Sequence, residues 1–250
     1  MANKPNIILT KRDQTVLISL FKSKVISLNQ IHQNFYQGTK RCSPSRRMQK
    51  LFLNGLVTKK VLLLNDLRQN VYGISKNGVE IVQEHLEGDV TSRNYKSDSI
   101  EHDLKLFEIT KRIKEFKAIK NVITESELQS CSDFIRDDDL RSFVQLRSDR
   151  VLEIVGKNKT SFAALEYERS LKRKSQNLKK LQDYYIHKRV PVVFYICKNT
   201  MIMNSLMESD KEASQNSKSK MYFITLEEFS SGSDEINFKR FDGTSLKFTK

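Results

Sequence analysis

Apolar positions recur every three to four residues through the first fifty residues, the period of a helix with one buried face. Val16, Leu17, Leu20 and Phe21 share such a stripe after Thr10-Lys11-Arg12-Asp13, and Ser27 precedes a second stripe carrying Ile31 and Phe35. Ser43-Pro44 has the cap-then-proline order of a helix start. A third stripe then runs through Met48, Leu51 and Phe52 to Gly55. From Leu56 the pattern changes, and residues 56–64 and 69–74 predict two strands joined at the polar pair Asn65-Asp66. Ser75-Lys76-Asn77-Gly78 leads into a fourth helix with Val79, Val82 and Leu86 at helical spacing.

Residues 88–99 hold almost no apolar side chains and predict a linker. A strongly periodic helix follows over 100–116, with His102, Leu106, Ile109, Ile113 and Phe116 on one stripe, His102 reading as a hydrogen-bonded core residue. Val122-Ile123-Thr124 is a short strand, residues 125–135 stay open between loop and helix, and Arg136-Asp137-Asp138-Asp139 reads as a solvated turn. Residues 148–154 and 162–169 predict a hairpin broken at Gly156-Lys157-Asn158. Next come a basic helix over 171–189, a buried strand over 191–196, a helix over 201–213, a strand over 221–225, and a polar tail ending in a hairpin. The fold class is α+β: a helical domain with a small hairpin over 1–87, the linker, and a mixed-sheet α/β domain over 100–250.

Charge changes the picture next. The chain carries a formal net charge of +14 and a pI near 9.6, which points to a polyanionic partner. Residues 1–90 hold 14 Lys and Arg against 6 Asp and Glu, so this smaller part carries +8 of the excess. No apolar run approaches the ~20 residues of a membrane helix. The first residues lack the apolar core of a secretory signal, and three scattered cysteines fit a reducing cytosol. No paired Cys or His spacing suggests structural zinc, and no Gly-rich phosphate loop is present.

Candidate chemistry lies on the second hairpin strand. Successive side chains of a strand alternate faces, so Phe162, Ala164, Glu166 and Glu168 share one side. Ionised groups beside an apolar face need a cation or a donor. Asp149, at the mouth of the preceding strand, comes near the same spot across the hairpin. Three carboxylates around one point suit a hard divalent cation such as magnesium. The alternative is a set of ordinary edge-strand acids, with Glu168 paired to Arg169 or Lys172.

Two resemblances join these readings. Three helices, a hairpin and a helix, with the phrase Arg-Met-Gln-Lys-Leu-Phe-Leu-Asn-Gly-Leu-Val and then Tyr-Gly-Ile-Ser-Lys-Asn-Gly, look like a winged helix-turn-helix domain and resemble bacterial winged-helix repressors. That implies double-stranded DNA as partner, with Arg46, Arg47 and Lys50 reading the major groove, and Lys59, Lys60 and Arg68 meeting phosphates or an adjacent minor groove. The second part resembles the PD-(D/E)XK nuclease superfamily. More narrowly, His102-Asp103-Leu104, Ser148-Asp149, Leu165-Glu166-Tyr167-Glu168-Arg169, and Lys180-Leu181 followed by Tyr184 look like the replication-relaxation family of plasmids and mobile elements.

This second resemblance implies Asp149 and Glu166 as metal ligands, with magnesium as the ion and manganese as a substitute. Glu168 stands at the position usually given to lysine, and Ser148 replaces the proline before Asp149. Lys174 or Lys180 would supply the missing positive charge, or with Lys172 they would hold phosphates. Three functions are implied. The first is a cytoplasmic DNA-binding accessory protein of plasmid replication or mobilisation, partnered by a relaxase or replication protein. The second is a magnesium-dependent endonuclease in which Asp149 and Glu166 hold the ion and Glu168 positions or deprotonates the metal-bound water that attacks a phosphodiester. The third is a transcriptional repressor whose second domain makes a homodimer.

Overall fold

The computed structural model of the chain describes residues 7–64, 67–156, 159–214 and 218–250. The predicted turns at Asn65-Asp66 and Lys157-Asn158 fall outside these. The chain divides into two compact units, one of Met1–Phe107 with Ser126–Arg136, the other of Glu108–Glu125 with Asp137–Lys250. Both mix helix and strand, and the class is α+β with a mixed sheet.

The first unit opens with helix α1 (Lys11–Ser23), strand β1 (Ile26–Ser27), helix α2 (Leu28–Phe35) and helix α3 (Cys42–Leu53). Thr10 and Asp13 form a reciprocal capping box on α1, and Ser27 and Gln30 form another on α2. Helix α3 begins before the predicted Ser43 cap, with Arg41 at its N-cap position and no side-chain cap. Pro44 thus lies inside the first turn, where its missing N–H has no helical partner to lose. Strands β2 (Val57–Leu64) and β3 (Leu67–Ile74) form the predicted hairpin, and β1 pairs β3 on its other edge, giving the antiparallel order β1-β3-β2. Ser75 caps helix α4 (Lys76–Val82) through its hydroxyl. Val16, Leu17, Leu20, Ile31, Met48, Leu51, Tyr72 and Val82 are buried in one core.

The predicted linker is a correction. Residues 88–99 are packed into the first unit, with Tyr95 buried 5.7 Å from the Phe21 ring. Part of their backbone pairs with the chain some forty residues on: Thr91 N–H donates to Ser130 O at 2.8 Å, and Ser132 N–H donates to Asp89 O at 2.9 Å. The partner segment holds two short helices, α6 (Glu125–Ser130) and α7 (Ser132–Arg136), reached through helix α5 (Ile100–Ile113) and strand β4 (Ile119–Thr124). The predicted 100–250 domain therefore does not hold as one block, because residues 126–136 belong to the first compact unit.

In the second unit a seven-stranded mixed sheet has the order β10-β9-β8-β7-β6-β5-β4. A helix absent from the sequence reading, α8 (Arg141–Leu146), precedes the predicted hairpin of β5 (Arg150–Val155) and β6 (Thr160–Glu168). Helix α9 (Lys174–Ile186) then carries the chain to β7 (Val193–Cys197), which lies parallel to β6 with Glu166 opposite Tyr195. Helix α10 (Thr200–Ser214) leads in the same way to β8 (Met221–Thr225), parallel to β7. A short helix, α11 (Leu226–Ser230), precedes the closing hairpin of β9 (Glu235–Lys239) and β10 (Ser245–Thr249). Strands β7 and β8 are buried throughout, as strands covered on both faces are. Phe194, Phe238 and Phe248 pack edge to face.

Candidate functional site

Each unit carries a candidate site. In the first, α3 buries Met48 and Leu51 and turns Arg46, Gln49, Lys50 and Leu53 outward, spaced so that they share a face. Gln49 was missed in the sequence because only basic residues were counted there. Arg46 and Lys50 are exposed as expected, but Arg47 is not available to a partner in the same way. Its Nε donates to Asp13 Oδ1 at 2.8 Å and one Nη donates to Asp13 Oδ2 at 2.5 Å and to Ile8 O at 2.8 Å. Asp13 is 1% exposed. Burial pushes its carboxyl up, yet the Arg47 guanidinium and the Thr10 donors outweigh that and hold it below the usual carboxylate value. Arg47 is thus an internal cation that fixes α3 to the start of α1, because one residue is a turn of about 100° toward the core.

On the hairpin, Lys59 is half-buried while Lys60 and Arg68 are exposed. Lys59 and Lys60 are neighbours on one strand and so point to opposite faces. They cannot both meet the same surface of a partner.

The second site lies on β6 and α9. Glu166 is 2% exposed, and both of its oxygens are engaged: Lys180 Nζ donates to Oε2 at 2.6 Å, and Tyr184 O–H donates to Oε1. Ser148 Oγ is 3.0 Å from the Tyr184 oxygen and donates to it, since the tyrosine proton is already given to Glu166. Lys180 and Tyr184 are four residues apart and therefore share one face of α9. Lys180 Nζ also lies 5.9 Å from the centre of the Tyr195 ring, whose buried hydroxyl has no hydrogen-bond partner among the described residues. Asp149 Oδ2 accepts from Tyr167 N–H at 2.8 Å.

The titration of this group follows from burial. Desolvation raises the Glu166 carboxyl, with Lys180 opposing and the Asp149 charge adding to the rise. Burial lowers Lys180, but Glu166, Tyr195 and Asp149 together leave its ammonium above the usual lysine value. Burial, then Glu166, raises the Tyr184 phenol. The result is an ammonium paired to Glu166, with the Asp149 charge also favouring it, and with Tyr184 and Ser148 completing the hydrogen bonds.

The remaining sequence candidates are placed elsewhere. Glu168 accepts from Lys172 Nζ at 2.5 Å and from Ser170, but it is buried on a strand flanked by β5 and β7 and so is not a surface acid on a sheet edge. Lys172 is correspondingly engaged. Lys174 pairs with Glu212 at 2.6 Å, away from Glu166, because six residues before Lys180 is some 240° around the helix. Among the described residues no group of three or more His, Cys, Asp or Glu side chains converges as an ion would require. The donor set as arranged does not suit magnesium, since Glu166 already has both oxygens taken and Lys180 supplies the positive charge a metal would bring.

Among the described residues no helix is long and apolar enough to cross a membrane. No family model matches the chain, and no curated protein matches it. Among solved structures it is similar to the crystal structure of smu.1604c from Streptococcus mutans UA159, with 16% identity and a TM-score of 0.23 over 80% of this chain and 94% of that one.

Proposed function

We propose that the chain is a DNA-binding protein whose first unit reads duplex DNA as a winged helix-turn-helix and whose second unit is a nuclease-like body that binds without cutting. The observation that carries the reading is the outward face of α3, where Arg46, Gln49 and Lys50 stand together on a helix whose opposite side is core. A helix fits the major groove, where Arg or Lys suits guanine and Gln suits adenine. Arg68 and one face of the β2–β3 hairpin would lie along the flanking phosphates. The α5-β4-β5-β6-α9-β7 order, with α6 to α8 inserted between β4 and β5, supports a PD-(D/E)XK-like body, and the Lys180–Glu166 pair supports a non-cleaving one. An accessory role in plasmid or mobile-element replication or mobilisation, beside a relaxase or replication protein, agrees with such a pairing of units.

Fluorescence anisotropy with a labelled duplex, titrated from 50 to 200 mM salt, tests this. Affinity should fall steeply and linearly on logarithmic axes, by about 10³-fold or more for six or more phosphate contacts. Supercoiled plasmid incubated with magnesium or manganese should remain intact. Salt-independent binding would contradict the DNA reading, and nicking lost in Glu166→Ala would establish the nuclease instead.

A further inference from the structure

We propose that the first unit holds a pocket for a small amphipathic organic anion, a carboxylate or phosphomonoester joined to an apolar body. A cavity of about 280 Å³ lies against the face of the β2–β3 hairpin that carries Thr58, Lys60, Val71 and Gly73. That is near the lower end of the roughly 300–1,000 Å³ of small-molecule sites. Its lining mixes the apolar Val25, Val71, Ile74, Tyr95 and Ile100 with the basic Lys24, Lys60 and Lys96. None of the described lining residues is acidic. Such a lining takes apolar surface out of water and can pair an anionic headgroup.

The backbone around Lys24 is arranged for this. Lys24 has φ +65° and ψ −43°, and Val25 N–H donates to Ser23 O at 2.7 Å, which is a tight γ-turn with positive φ. A lysine in that conformation is strained, and such strain collects at ligand clamps. The turn is admitted by Gly73, where a Cβ would stand 3.1 Å from the Lys24 carbonyl oxygen and 3.1 Å from Thr58 Oγ1. The turn in turn keeps Lys24, which is 8% exposed, at the cavity wall. Ser97 lines the same cavity, and its buried Oγ has no hydrogen-bond partner among the described residues. A buried hydroxyl without a protein partner is uncommon, and it offers the donor an incoming oxyanion accepts.

This inference does not depend on DNA binding, and its test contains no DNA. The full chain is titrated with 8-anilinonaphthalene-1-sulfonate, an aromatic body with one anionic group, in 0.15 M salt. Fluorescence should rise saturably with one site per chain, and phenyl phosphate and benzoate should displace the dye where benzyl alcohol at the same concentration does not. Lys60→Glu and Lys96→Glu, both exposed positions, should each weaken dye binding about tenfold, the loss of one charge-assisted contact. Lys59→Glu, on the same strand but the other face, should stay within about threefold in this screening salt. Absence of saturable binding, equal displacement by benzyl alcohol, or an equal loss in Lys59→Glu would each overturn the proposal.

Discussion

Arg47 stands on the border between core and solvent, and its partner decides what it does. Because Asp13 is buried and held by that guanidinium, Arg47→Ala leaves a carboxylate with only the Thr10 donors. The expected loss is about 3 kcal/mol at pH 7, as for breaking a buried pair from one side. The folded Asp13 pKa is depressed, so its stabilisation is fully present above the unfolded value of about 3.9 and is lost as pH falls through the folded value. Thermal melting between pH 7 and pH 3 should therefore show the wild type holding to about pH 4, while the gap to Arg47→Ala narrows as the variant's Asp13 takes up a proton. A gap that widens toward acid would contradict the assignment.

Glu166 runs the other way. Its folded pKa is raised, so the stability it contributes falls as pH rises from the unfolded value through the folded one. Lys180 compensates it from a side chain that is 38% exposed, and that solvation keeps the cost of Lys180→Met to about 2–3 kcal/mol, below the loss for a fully buried pair. The deficit should shrink at pH 5 relative to pH 8, and adding Glu166→Gln should recover part of it, measured by urea unfolding. Thiols give a third check at this scale. Burial pushes Cys131 up to about 12, burial and then Glu168 raise Cys197, and Cys42 is exposed. Ellman's reagent should find one reactive thiol in the native chain and three in guanidinium.

At the scale of elements, packing around single glycines is as decisive as apolar pattern. A Cβ at Gly78 would stand 2.2 Å from the Leu56 carbonyl oxygen and 2.8 Å from an Ile74 side-chain carbon, so α4 docks on the ends of the hairpin only without a side chain there. Gly78→Ala should cost about 1–3 kcal/mol or more despite the better helix propensity of alanine, and a stabilised variant would refute this packing. Much of this level was legible beforehand. The helix starts at Ser27 and Ser75, the stripes of α1 and α2, and the hairpin pairing of β5 with β6 all follow from local spacing. What local spacing does not contain was missed. Arg47 differs from Arg46 only by a partner 34 residues away, and residues 88–99 are polar yet fixed by a strip of chain around residue 130. Lys180 was distinguishable from Lys174, since its i, i+4 relation to Tyr184 puts both on one face of α9.

For the whole molecule, the net charge of +14 and its concentration in the first ninety residues are the broadest observations behind the proposed partner. The packing of residues 88–99 has its own consequence. Limited proteolysis of the native chain should spare that segment, because the N–H groups of Asp89, Val90 and Thr91 are hydrogen-bonded and Tyr95 is buried. Rapid cleavage there would show that it is the open connector its composition suggests. The most direct test of the central claim is duplex affinity measured for Arg46→Ala with Lys50→Ala against the wild type across a salt series, with circular dichroism to confirm folding. Affinity should weaken by about 10- to 100-fold and the salt slope should fall by up to about 2. Unchanged affinity and slope in a folded double variant would contradict that claim.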